Sequence, residues 1–287
     1  MPLTLPIIEN KSILTETSGF LGDGYTHTIN AYSGCSFAGA ICGRYCYAQH
    51  NFWITKGRPW KLYGAKREVA EAYDRDYNRI KPPRRGTPGP IRIFMSSSTD
   101  PYLPQEKTLG ITRRLLEAMC ERPPDALVIQ TRSPLVLRDA DLICRLSEHA
   151  RVWVCITVET GMDAIPGFPP HATPPNARVA ALAEFRRRMV RTRATLSPLL
   201  PIQDIPRFAE SLERVAEHVI LDHYLIGDGS RGGSRTKRTG FPRMLDDAGY
   251  PEWNTIEKFW EVVESFRLVL CPERVLTSCR GFNTLDP

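Results

Sequence analysis

The sequence predicts an α/β fold built on a parallel sheet. Short β-rich runs alternate with amphipathic, helix-like stretches, which is typical of repeated βαβ units. Six such units are too few for a closed eight-stranded barrel. An open partial barrel and a doubly wound sheet both fit this pattern, and in either fold functional residues lie at the carboxyl ends of the strands.

Each element can be placed along the chain. The predicted strands cover residues 27–33, 91–95, 126–131, 152–158, 192–197 and 219–226. The predicted helices cover residues 65–80, 105–120, 140–149, 177–189, 205–216 and 255–268. Three polar segments then follow the first three strands in turn: a cysteine-rich loop, SSSTD at 96–100 and TRS at 131–133. We expect these three segments to share one mouth, because they leave the same edge of the sheet.

Proline-rich connectors at residues 81–90 and 165–175 interrupt the repeat. We expect them to be exposed loops within one domain and not linkers between domains. The chain shows no internal repeat and no low-complexity tail. The prediction is a single domain over residues 1–287, with a core of about 25–226 and a C-terminal extension of 227–287.

Composition limits the possible classes of protein. A hydrophobic content of 42% in 287 residues is enough for one sizeable core. The sequence has no apolar run long enough to span a membrane, and its start lacks the pattern of a signal peptide, so we expect a cytoplasmic protein. Its eight cysteines are then reduced, and clustered thiols in a reducing compartment bind metal more often than they form disulfides.

The net charge of +6 mildly favours an acidic partner, such as a nucleic acid, an anionic cofactor or an acidic peptide.

Three of the cysteines, Cys35, Cys42 and Cys46, lie within twelve residues. A structural zinc site takes four ligands, usually as two close pairs, and here only His50 is near enough in sequence to be the fourth. An iron–sulfur cluster held by three cysteines instead keeps one iron open to a substrate or cofactor. The spacing alone leaves both kinds of site open.

The residues that flank these cysteines resemble those of a known family. Asn30, Tyr32 and Gly34–Cys35 on one side, and Cys46–Ala48 on the other, are similar to N-P-Y-x-G-C-x3-C-x2-C-Y-A-R. This segment is typical of the spore photoproduct lyase-like group of radical S-adenosylmethionine (SAM) enzymes. The spacing differs, because this chain has C-x6-C-x3-C. Further matches follow in the group's order over about residues 27–205, at 58–60 with Lys66, 98–106, 130–133, 137–139, 174–178 and 196–201.

The resemblance implies a partial (β/α)6 TIM-type barrel that carries a [4Fe–4S] cluster on Cys35, Cys42 and Cys46. SAM would bind the open iron and be cleaved reductively to methionine and a 5′-deoxyadenosyl radical, which abstracts a substrate hydrogen. The electron would come from a donor such as flavodoxin or ferredoxin. The protein's part is to position the reacting atoms and to exclude water.

The same resemblance indicates residues that contact SAM. Tyr47 is expected against the adenine, although ordinary aromatic packing fits equally well. Ser97, Ser98, Thr99 and Asp100 stand where the superfamily meets the SAM amino group; an ST- or Asx-turn before a helix is the alternative. Ser133, in preference to Arg132, is expected as a polar SAM contact.

Two charged residues are expected at the cofactor as well. Glu159 ends the fourth predicted strand and is a candidate for a ribose hydroxyl, with an ordinary surface carboxylate as the alternative. Arg178 is expected to pair with the SAM carboxylate through its planar fork, and a solvated helix-start arginine is the alternative.

Cys155 lies inside an apolar strand, where a lone cysteine is usually a small hydrophobic residue. If it points into the barrel, it is a candidate hydrogen-atom donor to a product radical.

The substrate is the least determined part of the prediction. Basic stretches at 81–85 and 227–240 suit phosphate contacts that do not read bases, with a solvated loop as the alternative. The first hypothesis is a DNA-lesion lyase that acts on a thymine photoproduct-type crosslink. The second is an enzyme that modifies a ribosomally made precursor peptide, and the third is a non-catalytic zinc or nucleic-acid-binding protein. The sequence leaves the oligomeric state open.

Overall fold

The computed structural model describes residues 7–61, 64–80 and 89–285. Its strands form a three-stranded and an eight-stranded sheet. In chain order the strands are β1 Ile7–Ile8, β2 Leu14–Glu16, β3 His27–Ile29, β4 Tyr32–Ser33, β5 Gly64–Lys66, β6 Arg92–Met95, β7 Ala126–Thr131, β8 Arg151–Thr157, β9 Arg191–Leu196, β10 His218–Leu221 and β11 Val275–Thr277.

The large sheet runs in the order β11-β10-β9-β8-β7-β6-β3-β2. Strand β2 is antiparallel to β3, and all other neighbours in this sheet are parallel. From β3 to β11 each new parallel strand joins on the same side of the one before it. A doubly wound sheet would reverse this direction once, so the described strands follow the winding of an open barrel. The predicted α/β fold is confirmed.

Helices connect these strands and pack on the outside of the sheet. In chain order they are α1 Cys42–Tyr45, α2 Phe52–Thr55, α3 Val69–Ile80, α4 Glu106–Leu109, α5 Ile111–Glu121, α6 Ala140–Ser147, α7 Pro175–Arg187, α8 Ile205–Glu213, α9 Tyr224–Gly227, α10 Ser234–Lys237, α11 Phe241–Asp247, α12 Ile256–Val269 and α13 Ser278–Asn283. Short 3-10 helices lie at Gly19–Leu21, Ser36–Gly39, Tyr47–His50, Pro134–Asp139, Arg231–Gly233, Pro251–Asn254 and Pro272–Arg274. No helix within the described ranges is long and apolar enough to cross a membrane.

The predicted elements differ from the structure at a few points. The stretch predicted as one strand over 27–33 is divided between β3 and β4, which lie in different sheets. The helix predicted over 105–120 is broken at Gly110, whose φ of 58° ends α4. The strand predicted over 219–226 stops at Leu221, and residues 224–227 turn into α9. Strand β11 was not predicted.

The connector at 165–175 is less exposed than expected. Ile165 is buried in the main core, and the Pro170 carbonyl accepts a hydrogen bond from the Ile41 amide at 2.9 Å. This connector therefore packs against the cysteine loop. Most of the other proline-rich connector, residues 81–88, lies outside the described residues, as does the basic stretch 81–85.

Side chains on the two faces of the parallel strands have different surroundings. On β8, Val154 and Ile156 belong to the large core with the helices, whereas Trp153 and Cys155 belong to a second cluster. This second cluster includes Phe282 and Leu285, which follow β11. The Trp153 indole donates to the Leu285 carbonyl at 3.1 Å. The C-terminal residues thus pack on the inner face of the sheet, below the carboxyl ends of its strands.

Candidate active site

A cavity of about 600 Å³ lies at the carboxyl ends of the parallel strands. All three clustered cysteines line it, and so do residues 96–100 after β6 and residues 130–132 at the end of β7. Ser197, Pro198 and Asp222, after β9 and β10, form the opposite wall. The volume lies within the range of about 300–1,000 Å³ that is usual for small-molecule sites.

The cysteine loop is held in place by hydrogen bonds from three directions. The Cys35 amide donates to the Trp60 carbonyl at 3.0 Å, and the Thr99 hydroxyl donates to the Gly34 carbonyl at 2.6 Å. The contact between Ile41 and Pro170 fixes the middle of the loop. Local packing is also tight, since a Cβ at Gly43 would lie 2.0 Å from the Ala38 carbonyl oxygen. The chain can make this turn only with glycine at position 43.

The three thiols are free and buried or half-buried. Burial raises the pKa of the Cys35, Cys42 and Cys46 thiols, that of Cys42 to about 11. Arg132 lowers the pKa of Cys42 against this effect. The neutral thiols therefore need a cation or a metal centre to become thiolates, which are the ligating form.

The residues present fit an iron–sulfur cluster better than one metal ion. Within the described residues no three His, Cys, Asp or Glu side chains come together as ligands of a single ion. In a cluster each cysteine binds a different iron, so its ligands need not converge on one point. Three free thiols on one wall of a ligand-sized cavity meet that requirement.

The loop after β6 is fixed by Asn30, which belongs to the segment before the cysteines. The Asn30 carbonyl oxygen accepts from the Ser98 amide at 3.1 Å, and its amide nitrogen donates to the Ser97 hydroxyl at 3.0 Å. Asp100 accepts hydrogen bonds from the Thr131 hydroxyl at 2.6 Å and the Arg132 amide at 2.8 Å. These contacts tie the ends of β6 and β7 together.

Ser98 is the most available of the predicted contacts in this loop. Its hydroxyl makes no hydrogen bond to the described residues, and the residue lines the cavity. Ser97, Thr99 and Asp100 line it as well, but each side chain already has a protein partner. The Tyr47 hydroxyl donates to the Ser97 carbonyl at 3.0 Å, so this ring is a fixed part of the cavity wall.

A buried ionic network lies behind the cysteine loop. Glu159 receives Arg178 at 2.5 Å on one carboxylate oxygen and Arg132 at 2.7 Å on the other, where the Tyr45 hydroxyl also donates. Burial alone would raise the pKa of Glu159, but Arg178 and Arg132 outweigh it and lower the pKa to about 2. Glu159 is thus a carboxylate at every ordinary pH, and its charge is fully used within the protein.

The structure separates the predicted cofactor contacts into two sets. Tyr47, Ser97, Ser98, Thr99 and Asp100 line the cavity with the cysteines. Ser133, Glu159, Arg178 and Cys155 are not in its lining. The expected preference for Ser133 over Arg132 is reversed in placement, because Ser133 caps the following 3-10 helix while Arg132 lines the cavity. The direct ligand contacts of the second set stay predictions.

Arg178 and Glu159 are neither solvated nor open to a ligand. Arg178 is 1% exposed, and besides Glu159 it donates to the Thr173 hydroxyl and carbonyl and to the Thr157 carbonyl. Both alternatives considered for it from the sequence, a free fork and a surface arginine, differ from this arrangement.

Cys155 points to the inner face of the sheet, as its predicted role requires. It lies two residues before Thr157, which lines the cavity, and packs in the inner cluster with Tyr25 and Phe94. Burial raises the pKa of its thiol to about 11, so the sulfur keeps its hydrogen. The role as hydrogen-atom donor stays a prediction, since Cys155 itself does not reach the cavity wall.

Sequence reasoning missed Asp222, which faces the cysteines across the cavity. It is 3% exposed; Oδ2 accepts from the Ser197 hydroxyl at 2.9 Å, and Oδ1 has no hydrogen-bond partner among the described residues. Burial raises its pKa to about 6. A Cβ at Gly227 would lie 2.0 Å from this carboxylate, which explains the glycine there. An acidic residue directly after a predicted strand was the available signal.

Comparisons with known proteins place the fold. No protein-family model matches the chain. An uncharacterized protein of Acidianus two-tailed virus is 30% identical over 208 residues, which is 70% of this chain and 62% of the viral protein. An uncharacterized protein of Methanocaldococcus jannaschii is 28% identical over 180 residues, 62% of each chain. The matched region is thus less than two thirds of the length of these relatives.

Among solved structures, mutants of spore photoproduct lyase are similar to this chain, with a TM-score of 0.57 at 12% to 13% identity. The alignment covers 88% of this chain and 76% of the lyase. One of these structures holds bound AdoMet and dinucleoside spore photoproduct. The chain therefore has an α/β fold like that of spore photoproduct lyase.

Proposed function

We propose that the chain is a radical SAM enzyme that binds a [4Fe–4S] cluster through Cys35, Cys42 and Cys46. The observation that carries the proposal is the meeting of these three free thiols on one wall of a cavity at the carboxyl ends of the parallel strands. When bound, the cluster and SAM supply reductive SAM cleavage and hydrogen abstraction. The fold similarity to spore photoproduct lyase supports this assignment.

The chain's own residues prepare the cavity for that chemistry. Arg132 brings a positive charge next to Cys42, which favours the thiolate needed for ligation. The Ser98 hydroxyl is free to accept a hydrogen bond from a ligand amino group. Trp60 covers the loop from behind, where its carbonyl holds the Cys35 amide. Together these residues orient the ligating thiols and limit the access of water.

A DNA-lesion lyase is the reaction that we propose for this site. The dinucleoside photoproduct bound in the similar lyase structure supports it. The loop that follows β10 also supports it, because residues 229–245 carry five Arg or Lys and no Asp or Glu. Gly229 and Arg235 of this loop line the cavity itself. Positive charge at the entrance is suited to a polyanionic substrate.

Anaerobic reconstitution with iron and sulfide tests the proposal. We expect a brown protein that forms 5′-deoxyadenosine from SAM under dithionite, and that forms it faster when an ultraviolet-irradiated oligonucleotide is added. A colourless protein that holds one zinc would overturn the enzyme assignment. SAM cleavage that an irradiated oligonucleotide does not change, but that a precursor peptide accelerates, would replace the DNA lesion by the peptide as substrate.

A further inference from the structure

Two large aromatic side chains stand uncovered at the rim of the cavity. Phe52 is 66% exposed and Trp53 77%, and their ring centres are 6.2 Å apart. Both belong to α2, whose neighbouring residues Asn51 and Ile54 line the cavity. The pair therefore lies directly beside the entrance.

The backbone of α2 holds this pair in place. The Asn51 side chain caps the helix by accepting a hydrogen bond from the Trp53 amide at 3.1 Å. Lys56 ends the helix in the left-handed region, with φ of 52°, and its amide donates to the Phe52 carbonyl at 2.7 Å. The Lys56 ammonium lies 5.2 Å from the centre of the Trp53 ring. The rings are thus fixed in direction and carry a cation next to them.

The surface around the pair is positively charged. Residues 24–67 contain no Asp or Glu, and neither do residues 229–245. The two segments adjoin, because α2 and α10 both pack against the 3-10 helix Tyr47–His50. The exposed side chains of Lys237 and Arg238 belong to the second segment. We call Phe52, Trp53, Lys56, Lys237 and Arg238 the aromatic–basic rim.

We propose that the aromatic–basic rim binds single-stranded or locally unpaired nucleic acid, with an unpaired base stacked on Trp53 and backbone phosphates on the cations. Exposed aromatic rings beside cations are how proteins hold single strands without reading sequence. An acidic peptide would use the cations but gives the two rings nothing flat to stack on. The inference deepens the proposed function, since it names how the substrate reaches the cavity.

Binding of short fluorescein-labelled oligothymidylate to the full-length reconstituted protein, measured by anisotropy, tests this inference. We expect Trp53→Ala to weaken binding roughly 5- to 150-fold, the range for loss of one stacked base, with an unchanged salt dependence. Trp53→Phe is expected to keep most of the affinity. Trp260→Ala is the matched control, because Trp260 is 45% exposed on α12 and is not in the rim.

Two further arms separate stacking from charge. The same strand with abasic sites throughout should bind the wild type as weakly as it binds Trp53→Ala. The double variant Lys237→Gln/Arg238→Gln should lower the slope of log K against log salt by about 1. Equal affinity of wild type and Trp53→Ala overturns the inference. So does displacement of the strand by polyglutamate with no dependence on Trp53, which would indicate an acidic peptide.

These outcomes are independent of SAM chemistry. Trp53-dependent binding without SAM cleavage would remove the proposed function and leave the nucleic-acid surface. SAM cleavage without Trp53-dependent binding would do the reverse.

Discussion

At the scale of single residues, Asp222 combines burial with an unused hydrogen-bonding oxygen. Its pKa of about 6 lies above the ordinary value of 3.8 for Asp because burial disfavours the charged form. The Ser197 and Ser278 side chains lower it only in part, and the nearby Asp228 carboxylate adds to the rise. Asp222 is therefore a destabilising group whenever it is ionised in the folded chain.

Replacement of Asp222 by Asn should accordingly stabilise the protein at neutral pH. A raised carboxyl pKa means that the unfolded chain loses its proton first, so native stability falls as pH rises from about 4 to about 6 and is level above that. The gain in free energy of unfolding from Asp222→Asn should be small at pH 4.5 and reach at most about 3 kcal/mol at pH 7.5. Urea unfolding at both pH values measures it; an equal gain at both would show that the pKa is ordinary.

The pair of Glu159 and Arg178 has the opposite balance. Both side chains are buried, and their charges satisfy each other, so removal of one leaves the other partly uncompensated. We expect Arg178→Met to lower the free energy of unfolding by about 3 kcal/mol. Arg187→Ala, which removes an exposed pair with Glu184 on the same helix, is the control and should leave stability nearly unchanged. Similar denaturation midpoints for both variants and the wild type would contradict this account.

At the scale of elements, several motif residues serve the scaffold and not the cavity. The Tyr32 hydroxyl donates to the buried Glu106 carboxylate, which also receives Arg138 at 2.6 Å. Arg138 in turn pairs with Asp139 at 2.6 Å. This network joins β4 to α4 and to the 3-10 helix after β7. It gives a structural reason for the tyrosine, the glutamate and the Arg-Asp pair that a sequence pattern shows without explanation.

The cysteine loop offers the sharpest test at this scale. Gly43→Ala would place a methyl group against the Ala38 carbonyl, so the turn between Cys42 and Cys46 must open. We expect this variant to keep the wild-type circular dichroism spectrum but to lose most of its iron after reconstitution. Gly39→Ala is the control in the same loop, since a Cβ there meets no atom within 4 Å. Full iron content in Gly43→Ala would show that the loop geometry does not matter.

At the scale of the whole molecule, periodicity predicted the sheet because every long parallel strand carries an apolar run between polar segments. Strand β11 escaped prediction, since three residues with only Val275 buried give no periodic signal. The shared mouth was also predictable, because parallel strands end at one edge. Which residues face that mouth was not, as Ser133 and Arg132 show: neighbouring residues after a strand point in different directions.

Tertiary packing decided what the sequence could not show. The exposure of Trp53 depends on a short capped helix, and the burial of Arg178 depends on Glu159, nineteen residues earlier in the chain. The assignment of residues 25–226 as the core and 227–287 as an extension stays a prediction. Asp228 and Thr236 of that extension nevertheless line the cavity, so truncation at residue 226 should open one wall.

The central claim is that Cys35, Cys42 and Cys46 hold the iron cluster, and iron content with the matching electron paramagnetic resonance spectrum tests it most directly. After anaerobic reconstitution the wild type should hold about four irons per chain and give a reduced [4Fe–4S] signal that changes when SAM is added. Cys42→Ala should lose both the iron and the signal, whereas Cys120→Ala, a free cysteine outside the cavity, should keep them. A Cys42→Ala protein with full iron and an unchanged, SAM-responsive signal would contradict the account.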